Sequence, residues 1–176
     1  MSTWTETLDA LVRERGSALY GYAFVATGDR AAASNLLRHA LSRSFRHAPN
    51  NMPVDAAHAY VKREMQSAVF AGREFRDRRP LGNASSAATS SNAVHDAIVA
   101  LPARERICVI MRVVDGLSSN QIALELDLDP ATIRACVAAG VEQLAHTHAH
   151  LGFAPEDLDG GRDEEVFVVD ARRRGR

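Results

Sequence analysis

Apolar residues along this chain recur three and four positions apart, which is the period of helices rather than strands. Leu8, Leu11, Val12, Leu19, Tyr22 and Ala26 form the first stripe. Thr3 and Glu6 stand at the T-x-x-E spacing of a capping box, so a helix is predicted to start at Trp4. Gly16 is expected to interrupt it locally and Gly28 to end it. Asp29 can cap a second helix, with Ala33, Leu36, Leu37, Ala40, Leu41 and Phe45 inward and Arg30, Arg38, Arg43 and Arg46 elsewhere. Pro49 and Pro53 bracket a loop, HAPNNMP, that cannot continue a helix. A third helix is predicted from about Asp55 to Arg76. Ala57, Tyr60, Val61, Ala68, Val69 and Ala71 give its inner face; Lys62, Arg63, Arg73, Arg76, Arg78 and Arg79 give a basic outer face and tail.

From Pro80 the chain reads PLGNASSAATSSN, small, polar and uncharged, as expected of a flexible linker. Helical periodicity resumes from His95 to Ala100 and from Pro102 to Val114, with Leu101-Pro102 as the joint and Gly116 as the stop. Ile107, Val109, Ile110, Met111, Val113 and Val114 should form an apolar floor. Ser118 and Gln121 make a second capping box, and Asp129-Pro130 starts another helix with an acid at the cap and proline at the first helical position. Ile133, Val137, Val141 and Leu144 line one side of that helix. Two helices joined by so short a turn predict a helix-turn-helix whose second member can enter a major groove; an ordinary helical hairpin in a bundle is the alternative. The expected fold is all-α: two small helical domains at 1–79 and 94–150, a linker at 80–93 and a flexible tail at 151–176. Within the tail, EVFVVD could form a short strand or dock on a partner.

Composition narrows the function classes. Hydrophobic residues are 46% and aromatics 6%, which suits helical cores rich in alanine and leucine. No apolar run approaches a membrane span, and no basic start followed by an apolar core marks a secretion signal, so a cytoplasmic location is expected. Cys108 and Cys136 have no C-x-x-C partner and read as ordinary residues of a reducing compartment. The phosphate-loop, nucleophile-elbow and zinc-protease motifs are missing, so neither an enzyme nor a cofactor is expected. His146, His148 and His150 alternate, but positions two apart on a helix diverge, so no metal site is expected there either. The net charge of −1 is unevenly placed: +4 over residues 1–79, −3 over 80–150 and −2 over 151–176. The basic excess suits an anionic partner, yet it lies away from the helix-turn-helix.

Taken together, the two halves resemble bacterial RNA polymerase sigma factors of the extracytoplasmic-function type, within the sigma-70 family. The more specific part is LPARERICVIMRVVDGLSSNQIALELDLDPATIRACVAAGVEQL, with its LP start, the arginine of MRVVDG, the Ile-Ala of QIA and the Pro-x-Thr-Ile opening the recognition helix. This is similar to region 4 of that family. The first half, ALYGYAFVATGDRAAASNLLRHALSRSFRH with AYVKREMQSAVFAGREFRDRR, is similar in a looser way to region 2, which binds polymerase and grips the melted promoter. The resemblance implies a transcription initiation factor with RNA polymerase core and promoter DNA as partners. An anti-sigma factor clamping both domains is compatible with the linker. It assigns duplex contacts to Asp129, Ala131, Thr132, Arg134 and Ala135, and melted-element contacts to Asn50, Asn51, Tyr60, Lys62, Arg63 and Arg73. It assigns polymerase-core contacts to Leu36, Leu37, Arg38, Leu41 and Phe45.

Departures are also legible. Ser34-Asn35 stand where similar proteins carry acidic residues that help dock the polymerase, and Arg134 is the only arginine or lysine left on the recognition helix. Each lost phosphate contact removes salt-sensitive affinity; three lost contacts amount to about one to two orders of magnitude. Two rival readings follow. One is a degenerate sigma-like protein working through protein partners. The other is a GerE/LuxR-type regulator, which GLSSNQIALELDLDPATI also resembles, although residues 1–79 lack the strand alternation of a receiver domain.

Overall fold

The computed structural model describes residues 4–47, 52–73, 75 and 90–147. The loop residues Asn50 and Asn51, most of the expected linker, His148, His150 and the tail from 151 lie outside the described residues. Among those described there are seven helices and no strands: α1 (Trp4–Thr27), α2 (Arg30–His47), α3 (Val54–Phe70), α4 (Ser90–Ala100), α5 (Ala103–Val113), α6 (Ser119–Leu126) and α7 (Pro130–Thr147). The fold is all-α.

Helix α1 starts where the sequence predicts and runs unbroken through Gly16, contrary to expectation. A glycine inside a helix costs only about 1 kcal/mol relative to alanine, and the flanking Leu11 and Leu19, both buried, anchor the helix on either side. The stop at Gly28 is backbone chemistry: its φ is +72°, and its N–H donates to Phe24 O at 2.7 Å. Glycine is needed there for a second reason. A Cβ at Gly28 would sit 2.3 Å from a methyl of Val99 on α4. Asp29 caps α2 through its side chain, accepting from Ala32 N at 2.7 Å.

Helix α3 ends at Phe70 rather than near Arg76, because the chain turns at Gly72 with φ +69°. It then folds back on α2, where Asn35 Nδ2 donates to Phe75 O at 3.0 Å and the His39 and Phe75 rings meet at 5.5 Å. Of the expected inner faces, Val12 is exposed, Tyr60 is half-buried and Ala71 is exposed. Met65 and Gln66 are buried in their place on α3, since the helix presents the 57–61–65–68 line to α1 and α2. Helix α4 begins at Ser90, within the stretch expected to be linker.

Helices α1, α2 and α3 pack on one another, and α5, α6 and α7 on one another. Helix α4 lies against α1 and α7, α5 touches α1 and α3, and α6 touches α3. One contiguous apolar core therefore runs from Leu11 to Leu144. In its second half Ile107, Cys108, Val109, Ile110 and Met111 of α5 are buried, as are Ile133, Val137, Val141 and Leu144 of α7, which packs on α5. Val113 and Val114, expected on that floor, are exposed: α5 ends there, and the chain turns away at Gly116 (φ +68°) before another helix can cover them.

Candidate nucleic-acid interface

The second half supplies a helix-turn-helix built by local chemistry. Ser118 Oγ accepts from Gln121 N at 3.2 Å, and Gln121 Oε1 accepts from Ser118 N at 2.8 Å, so both halves of the capping box are made and α6 starts at Ser119. Asp127 ends α6 in the left-handed region at φ 57°, and Leu128 N returns to Ala123 O at 2.9 Å. Asp129 Oδ2 then accepts from Ala131 N at 2.9 Å and Thr132 N at 3.2 Å, starting α7. Arg112 Nη1 donates to Leu117 O at 3.1 Å and fastens the turn before α6.

The buried side of α7 is Ile133, Val137, Gly140, Val141 and Leu144. Its opposite side leaves Ala131, Thr132, Arg134 and Ala135 exposed, so four of the residues assigned to duplex contact share one open face at the helix start. Asp129 is exposed too, but its carboxylate is engaged with the helix's own first N–H groups, which are then not free for a phosphate. Cys136 lies between the faces, and Cys108 is buried on α5, where burial first and neighbouring Cys136 second push its thiol up to about 12. It is a packing residue at neutral pH.

The comparison with known families bears on this half. Residues 91–144 match the family model described as Sigma-70, region 4. The segment is thus similar to region 4 of that family, a DNA-binding helix-turn-helix module of transcription factors. The match begins one residue into α4 and ends at Leu144, the last buried position of α7, so it covers nearly all of α4 to α7 and under a third of the chain. A search of curated proteins finds no match to the chain.

The residues assigned to the melted element divide in two. Tyr60, Arg63 and Arg73 line one cleft of about 600 Å³, with His39 and Arg43 of α2 on one wall and Glu125, Leu126 and Asp127 at the end of region 4's α6 on the other. Inside it Arg43 Nε pairs with Glu64 at 2.9 Å, and Arg73 Nη1 lies 3.2 Å from His39 Nε2. Burial, and then the charges of Arg73 and Arg43, lower the pKa of the His39 imidazole. Lys62 does not face this cleft; its Nζ is 2.5 Å from Asp115 in the loop between α5 and α6. Sequence reading missed His39 and Arg43 as cleft residues. Their spacing of four on α2, like that of Tyr60 and Glu64 on α3, puts each pair on one helical face and was the available signal.

Among the residues assigned to polymerase contact, Arg38 is exposed, and Leu37, Leu41 and Phe45 are half-buried. Leu36 is wholly buried beneath them, so it supports that surface from within and cannot be part of it. Among the described residues no helix is long and apolar enough to cross a membrane.

Proposed function

We propose that the protein is an extracytoplasmic-function-type sigma factor acting in the cytoplasm. It joins RNA polymerase core, grips the melted promoter element with residues 1–79 and reads the upstream element with α7. The observation that carries this reading is the region 4 match falling on a helix-turn-helix whose α7 leaves Thr132 and Arg134 exposed in its first turns. A cleft with Tyr60 for stacking and Arg43, Arg63 and Arg73 for phosphates supports the melted-strand role of the first half. Leu37, Arg38, Leu41 and Phe45 are the proposed core-binding surface. An anti-sigma factor covering these surfaces is compatible with the reading. Transcription by core polymerase from a genomic promoter library, with and without the protein, tests it. Discrete new start sites are the expected result; a chain that never associates with core ends the proposal.

One observation favours the rival in which promoter reading is weakened. The exposed side of α7 carries Ala131, Ala135, Ala138 and Ala139, one arginine, and an acid on either side, Asp129 and Glu142. The two readings separate on Asp129→Ser. Serine keeps the cap but removes a negative charge where the helix would meet phosphate. Stability should change by less than about 0.5 kcal/mol, while duplex affinity at low salt should rise about three-fold. If titration of holoenzyme against promoter duplex shows no change, α7 does not meet the phosphate backbone.

A further inference from the structure

The acidic balance of the region 4 half has a use inside the molecule. Asp115 stands in the loop after α5, and its side chain is only 7% exposed. A carboxylate so placed needs donors, and three come from the first half. Lys62 Nζ of α3 donates at 2.5 Å, Gln66 Nε2 of α3 at 3.1 Å and Tyr22 Oη of α1 at 3.1 Å. The socket is braced within itself: Gln66 Nε2 also donates to Tyr22 Oη at 2.9 Å, and Lys62 Nζ lies 4.7 Å over the Tyr22 ring. One position further along α3, Arg63 Nε donates to Glu125 O at 2.7 Å. Glu125 is in the last turn of α6, where helix carbonyls lack partners and carry partial negative charge.

Arg63, which lines the cleft, thus holds a helix C-terminus in place of a phosphate, and its neighbour Lys62 holds a carboxylate of the same half beside it. We infer that region 4 is itself the occupant of the strand-gripping face. The chain rests in a locked form in which the Asp115 socket and the Arg63 cap must open before the melted strand can be held. This rests on the proposed function for what the face grips, though not for the lock. Charge complementarity argues for this occupant over a second copy or another protein: the halves carry +4 and −3, and their tether keeps the local concentration of each high. The lock leaves the exposed start of α7 open, so it gates the melted strand and not the duplex.

The test uses the full chain with Asp115→Asn, which leaves Lys62 facing a neutral amide. Tyr22→Phe is the second variant, keeping the ring and removing one donor. Circular dichroism melts check that both remain folded. Small-angle scattering should show Asp115→Asn expanded relative to the parent chain and Tyr22→Phe between them. Anisotropy with a labelled single-stranded oligonucleotide should show at least ten-fold tighter binding by Asp115→Asn. If the asparagine variant fails to fold, the same ordering between Tyr22→Phe and the parent decides. Folded variants as compact as the parent overturn the lock. Expansion without tighter strand binding overturns the gate. In that case a pull-down with core polymerase separates the causes: association retained sinks the gate alone, and association absent sinks the sigma reading with it.

Discussion

Gly140→Leu should destabilise the region 4 half by about 3 kcal/mol, enough to leave its helix-turn-helix largely unassembled. Gly140 is buried on α7 at its crossing with α5. Even a bare Cβ there would meet a Val109 methyl at 2.8 Å, Glu105 Cβ at 3.3 Å and Glu105 O at 3.4 Å. The last of these is backbone and cannot rotate away, so a larger side chain must push α7 off α5. That opens the packing of α5 on α7 around Val109 and exposes apolar surface now buried there. Gly140→Ala is the informative control. Alanine gains about 1 kcal/mol of helix propensity but must still displace the Val109 methyl, so its net effect should be small or mildly destabilising. Urea unfolding followed by circular dichroism reads both. A leucine variant with the parent's midpoint would mean that α5 and α7 are not in contact in solution.

Arg106→Leu should cost about 2–4 kcal/mol, because one guanidinium closes two helix ends. Its Nε and Nη2 donate to Leu101 O at 3.2 and 2.8 Å, just past α4, and its Nη1 donates to Ala26 O at 3.0 Å, in the last turn of α1. Leucine of similar bulk leaves both carbonyls without this donor in a half-buried place. Arg106→Lys should recover only part of the loss, since an ammonium cannot spread a planar fork over two acceptors. Full rescue by lysine in a thermal melt would show that charge, rather than the fork, is what matters. Loss of the Ala26 bond also weakens the seam between the halves, so Arg106→Leu should expand the chain in scattering as well.

Most of the helical layout was legible because its signals are local. Both Ser118–Gln121 hydrogen bonds, the Asp129 cap, the Asp29 cap and the Gly28 stop involve residues within four positions of each other. The stripe Ile133, Val137, Val141, Leu144 is buried throughout, as its spacing requires. The misreadings fall where a neighbour, not the helix, sets the outcome. Val12 and Val113 lie on apolar positions that no other described helix buries, and Gly16 is carried through by the packing on either side. Leu36 has the same chemistry as Leu37 and Leu41, and only the arrangement of α1 and α3 around it decides that it faces inward.

The sequence by itself determined that this chain is helical, where most of its helices start or stop, and that its second half carries a helix-turn-helix, because capping, turn chemistry and apolar period act over a few residues. Only the tertiary structure decided what the charges do. Tyr22 and Asp115 are 93 residues apart and Lys62 and Asp115 are 53 apart, yet they share one buried socket. No period or motif encodes such a pairing. It follows from two surfaces of opposite charge meeting, and that meeting turns an acidic helix-turn-helix from an apparent misfit into the complement of its own basic half.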